Sequence, residues 1–97
     1  MIYKIVLFPV AKQEFEESFD WYEEQLIGLG SRFISIVNNA FDIISINPEA
    51  FPKRKNLLRM MSINEFPYLI IYEVVEKESI INILHTSRNP KLKYKRK

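Results

Sequence analysis

A chain of 97 residues has room for one hydrophobic core, because dividing it would leave neither half enough buried area to hold together. With 47% apolar residues and only two glycines it is neither collagenous nor obligately disordered, so one domain is expected over residues 1–97, with a basic tail from about residue 88. The absence of cysteine excludes disulfides, thiol nucleophiles, zinc ribbons and iron–sulfur sites.

No apolar run approaches the roughly 18 residues of a membrane-spanning helix. Residues 1–10 read as a strand and not as a signal peptide, so a cytoplasmic protein is expected. The net charge of +2 conceals a polarity: residues 1–50 carry three basic and eight acidic side chains, and residues 51–97 carry eleven basic and four acidic. Arg88, Lys91, Lys93, Lys95, Arg96 and Lys97 fall together without an acid. Such a segment attracts polyanions and acidic protein segments, although a solvated tail that only aids solubility has the same composition.

In chain order, Ile2, Ile5, Val6, Leu7 and Phe8 predict a strand that stops at Pro9. From about Pro9 to Ile27, Ala11, Phe15, Phe19, Tyr22 and Leu26 recur at helical spacing, and Glu14, Glu16, Glu17, Asp20, Glu23 and Glu24 predict a solvated acidic face. Trp21 lies off the apolar stripe; it widens the buried face or contacts a partner, and burial is the favoured reading. Gly28 and Gly30 interrupt the period. A second helix follows through Phe33, Ile36, Val37, Ala40, Ile43 and Ile44, ending at Asn47-Pro48 because the residue before proline avoids helical angles. The short connection makes the two helices antiparallel.

Glu49 to Asn56 forms a basic loop with Lys53, Arg54 and Lys55. Three strands are then predicted at Leu57–Ile63, Tyr68–Glu76 and Ile80–Thr86, paired antiparallel because their connections are short. The result is an α+β fold in βααβββ order, an antiparallel sheet with both helices on one face. The opposite face, bordered by the basic loop and tail, is the expected groove for an anion.

Chemistry concentrates after the last strand, in His85-Thr86-Ser87-Arg88-Asn89-Pro90. Histidine exchanges protons near neutral pH, and Arg88 nearby offers a guanidinium fork for a phosphate. Tyr94, Arg59 and Lys91 would complete a site for metal-independent cleavage of RNA by its own 2′-hydroxyl. A structural role for His85, an ion pair of Arg59 with Glu73, and packing of Tyr94 are the competing readings. No glycine-rich phosphate loop is present, His85 has no second histidine beside which to bind a metal, and no cofactor is expected.

Four stretches, Phe19-Asp20-Trp21-Tyr22, Gly30-Ser31-Arg32-Phe33, Phe66-Pro67-Tyr68-Leu69-Ile70-Ile71-Tyr72 and His85-Thr86-Ser87-Arg88-Asn89-Pro90, together resemble the RelE/ParE superfamily of toxins from type II toxin–antitoxin modules, including plasmid stabilisation systems. The resemblance implies a RelE/ParE-like fold and a growth-arresting protein neutralised by a cognate antitoxin, whose acidic and apolar C-terminal segment covers the sheet and basic surface. In RelE-like members, ribosome-dependent mRNA interferases, it implies a catalytic set onto which Arg88 and Tyr94 map, with His85 beside them. The strand arginine of that set is replaced here by Leu69. ParE-like members poison DNA gyrase instead, and the Phe-Pro-Tyr and His-x-x-Arg features resemble that branch, which is the favoured expectation. Arg59, Lys53, Arg54, Lys55, Lys91 and Lys93 are the expected target or antitoxin contacts. A relative without toxicity is a third possibility.

Overall fold

The computed structural model describes residues 2–53, 58–63 and 65–88, with residues 87 and 88 described for their backbone alone. The elements are β1 (Lys4–Leu7), α1 (Pro9–Gln25), α2 (Leu29–Ile46), a 3-10 turn (Pro48–Ala50), β2 (Arg59–Ile63), β3 (Tyr68–Val75), a second 3-10 turn (Glu76–Glu78) and β4 (Ile80–Arg88). The predicted βααβββ order is therefore present.

The sheet is mixed rather than wholly antiparallel. Its strand order is β1-β4-β3-β2, and β1 runs parallel to β4 with Lys4 opposite Ile80 and Leu7 opposite Ile83. The helical hairpin explains the difference: it returns the chain to the start of β1, where Tyr3 N–H donates to the Ser45 carbonyl at 2.9 Å. Two tight reversals then turn β2 into β3 and β3 into β4, as short connections require. An even number of reversals leaves β4 pointing the way β2 points.

Phe33 is the centre of the core. It is fully buried and packs against Phe15 (ring centroids 5.7 Å apart), Tyr22 (4.9 Å), Phe66 (5.4 Å) and Tyr68 (4.7 Å), which joins both helices to the start of β3. Ile70, Tyr72, Ile81 and Ile83 form the floor beneath the helices. Two side chains assigned to burial or to the apolar stripe lie outside this core. Trp21 is 39% exposed, edge-on to Tyr22 at 5.1 Å, and Leu26 is 64% exposed because α1 ends at Gln25 and Leu26 is already extended.

The hairpin turn depends on two glycines for different reasons. Gly28 has φ of 93°, a left-handed conformation that costs an L side chain strain. Gly30 is crowded: a Cβ there would lie 2.7 Å from Phe19 Cε1 and 2.8 Å from Glu23 Oε1. The Glu23 carboxylate accepts the Gly28 N–H at 3.0 Å and the Gly30 N–H at 2.9 Å, supplying α2 with the capping acceptor its first turn needs.

Gly30→Ala is therefore expected to cost about 1–3 kcal/mol through overpacking. Gly28→Asn should cost less than Gly28→Ala, since asparagine tolerates the left-handed region. Urea denaturation of the three variants checks both; equal losses at Gly28 for Asn and Ala would remove the backbone explanation.

Candidate functional site

The end of β4 is built by a single irregularity. Tyr72 lies opposite Ile83 and Ile71 opposite His85, so Leu84 is an extra residue in β4. Without it, His85 would follow Ile81 and Ile83 onto the helix-covered face. The bulge moves the alternation by one residue. His85 then shares the open face with Ile71 and Met60, and Thr86 turns inward, fully buried, with its hydroxyl donating to the Ala11 carbonyl at 3.1 Å.

β1 accompanies β4 only as far as Ile83, where Phe8 N–H donates to the Ile83 carbonyl at 3.0 Å. Pro9 then turns the chain into α1. Beyond that point Glu14 reaches to the edge of β4. Its Oε1 accepts the Thr86 N–H at 2.9 Å, and its Oε2 lies 3.3 Å from His85 Nδ1. The His85 side chain remains 56% exposed, whereas that of Glu14 is 29% exposed. Nearby, Tyr68 is buried beside the Ser18 and Thr86 hydroxyls, and burial pushes its own hydroxyl well above the usual tyrosine range, so it stays protonated.

Arg59 occupies another corner. It lies opposite Tyr72, in the row beside that of His85 but on the helix-covered face, where its Nη1 donates to the Phe51 carbonyl at 2.8 Å. With Glu49, Lys53, Val74 and Glu76 it lines a cavity of about 210 Å³. The Lys53 backbone bridges to Arg59, so these two predicted residues come together, apart from His85. The alternative partner proposed for Arg59 is engaged elsewhere: Glu73 accepts Asn82 Nδ2 at 2.9 Å. Arg88 is opposite Tyr68 at the last position of β4. Arg54, Lys55, Lys91, Lys93 and Tyr94 lie outside the described residues.

Leu69, at the position where the RelE-like set has an arginine, stands opposite Ser62 and Ser87 on the open face and is only 8% exposed. Glu14 is the residue that sequence reasoning missed. Composition places it with the solvated acids of α1, yet it falls on the same side of the helix as the buried Ala11, Ser18 and Tyr22, which is the signal the sequence offers. Among the described residues no group of three or more acidic or histidine side chains is arranged to hold a metal ion, and no helix is long and apolar enough to cross a membrane.

Residues 5–90 match the family model described as the ParE toxin of the type II toxin–antitoxin system parDE. The chain belongs to the ParE toxin family. Its fold is similar to that of a chain in the chromosomal ParDE system from P. aeruginosa (TM-score 0.71, 15% identity, 90% of this chain and 96% of that one). It is also similar to a chain of the RelBE2 toxin–antitoxin complex of Mycobacterium tuberculosis (TM-score 0.61, 18% identity, 90% and 98% covered). The isolated E. coli RelE toxin matches with a TM-score of 0.65 at 16% identity, covering 97% of each chain. At these identities the structural likeness speaks for the fold alone. A search of curated proteins by sequence returns no significant match. The chain is thus a type II toxin with the RelE/ParE fold.

The Arg59 corner of the toxin carries a pH-dependent prediction. Tyr72 donates to the Pro48 carbonyl at 2.6 Å, and burial pushes its pKa up to about 12, against the lowering effect of Arg59. A phenol with a raised pKa contributes stability that is complete below its ordinary value near 10 and is lost as pH rises toward 12. Tyr72→Phe should cost about 1–2 kcal/mol at neutral pH. The gap between wild type and variant should close between pH 10 and about 12 in denaturant titrations. A gap unchanged over that window would count against the assignment.

Proposed function

We propose that this toxin arrests growth by poisoning DNA gyrase and that a cognate antitoxin neutralises it. The observation that carries the choice of target is Leu69. A ribosome-dependent RNase needs cations around the phosphate that reacts, and the open-face position where the RelE-like set has arginine holds a buried leucine flanked by serine positions. Arg59, the substitute available on the adjacent strand, belongs to the helix-covered face. The family match over residues 5–90 favours the same reading.

The antitoxin proposed here carries an acidic and apolar segment suited to the basic second half of the chain, with Lys53, Arg54, Lys55, Arg59, Lys91 and Lys93 as the contacts proposed for antitoxin or target. Both partners would be met in the cytoplasm. A second reading, a RelE-like mRNA interferase using Arg88, Tyr94 and His85, draws support from the Glu14–His85 pair, since a carboxylate-supported imidazole suits proton transfer.

Purified gyrase should lose supercoiling activity and accumulate cleaved DNA when the toxin is added. Intact supercoiling at large molar excess, together with codon-phased cuts in translated messages after induction, would transfer the assignment to the RNase reading. Toxin–antitoxin association should also accelerate as ionic strength falls, because exposed charges are screened within about 10 Å at 0.1 M salt. Stopped-flow rates that do not change with salt would remove the steering role of the basic half.

A further inference from the structure

Glu14 does two things at once. A strand edge without a neighbour leaves backbone N–H groups open, and beyond Ile83 no described strand flanks β4 on this side. Glu14 Oε1 takes the Thr86 N–H at 2.9 Å, which holds the carboxylate from one side. Oε2 is then directed at His85 Nδ1, 3.3 Å away. A carboxylate is an acceptor only, so a neutral imidazole meets it with its hydrogen on Nδ1. The Nε2 lone pair then has no hydrogen-bond partner among the described residues, on a side chain that is more than half exposed.

We propose that Glu14 is a positioning residue that holds His85 in the Nδ1–H tautomer, so that Nε2 accepts a hydrogen bond or a proton from a hydroxyl or N–H of the toxin's target at the end of β4. The bulge at Leu84 and the carboxylate act in sequence: the bulge places the ring on the open face, and Glu14 decides which nitrogen faces outward. The inference rests on the end of β4 being the working end of the toxin.

Glu14→Gln separates a positioning role from a merely structural one. The glutamine carbonyl can still accept the Thr86 N–H, but its NH₂ then faces His85 and requires a lone pair on Nδ1, so the hydrogen moves to Nε2. In ¹⁵N spectra of the neutral imidazole, wild type should show the Nδ1–H pattern and Glu14→Gln the Nε2–H pattern, with hydrogen-exchange protection at Thr86 retained. The inducer concentration for half-maximal growth arrest should rise about tenfold in the variant, the worth of one hydrogen bond. Adding Glu14→Gln to His85→Ala should cause no further loss.

An unchanged tautomer in Glu14→Gln overturns the inference, and so do losses that multiply in the double variant. Should wild type fail to arrest growth, the toxin reading fails by itself, and the ¹⁵N spectra still decide what Glu14 does.

Discussion

β1 and β4 differ in length, and much of this molecule follows from how the mismatch is resolved. Four residues of β1 pair with the first half of β4, after which proline forces the chain away into α1. The second half of β4 is left with an edge that carries unpaired donors in any sheet. The helix that leaves the edge open also covers it. Because α1 departs beside the gap, its first two turns bring Ala11 and Glu14 to Thr86, one through a backbone carbonyl and the other through a carboxylate. The hydrogen bonds lost with β1 are thus replaced partly by a charged group, and a charged group has a further oxygen to offer.

The extra residue in β4 turns that replacement into a site. A β-strand alternates faces strictly, so Ile81 and Ile83 in the core would carry His85 inward with them. A buried histidine beside Phe33 and Tyr68 would have to stay neutral and find partners for both ring nitrogens. Inserting Leu84 exchanges the positions: Thr86, whose single hydroxyl is satisfied by Ala11, goes inside, and the imidazole goes out. The polar group that packing can satisfy is buried, and the group able to exchange protons meets solvent.

The legible features of the sequence were those that local periodicity encodes. Apolar spacing through Phe15, Phe19 and Tyr22 and through Phe33, Val37 and Ile44 marked both helices, and the apolar run from Tyr68 to Tyr72 marked β3 without telling its two faces apart. What periodicity cannot carry is pairing between distant segments. The parallel contact of β1 with β4 joins residues more than seventy positions apart, and nothing in either strand names its neighbour. A one-residue bulge leaves the composition of β4 unchanged, so His85 was legible as a reactive side chain but not as one facing outward. Glu14 was hidden by its company, one acid among six in α1. Leu69 was the opposite case: its departure from the RelE-like pattern was visible in the sequence, and the register adds that serines, not cations, stand on either side.

The placement of Arg59 shows why counting cations is a poor guide to a phosphate site in this fold. Arg59 and His85 occupy adjacent rows on strands that flank β3, so a reading by residue number or by row alone would join them. The sheet separates them by face. Arg59 spends one donor on the Phe51 carbonyl, holding the chain after the first 3-10 turn against β2, and shares its cavity with Glu49 and Glu76. An anion entering there would meet two carboxylates as well as the guanidinium, which offsets the attraction. Glu76 is itself held by the Tyr3 hydroxyl at 2.8 Å, so one of these acids is fixed at the corner. Arg59 and Lys53 therefore belong to a locally balanced corner, where Glu49 and Glu76 offset the attraction that the two cations hold for a polyanion or an acidic partner.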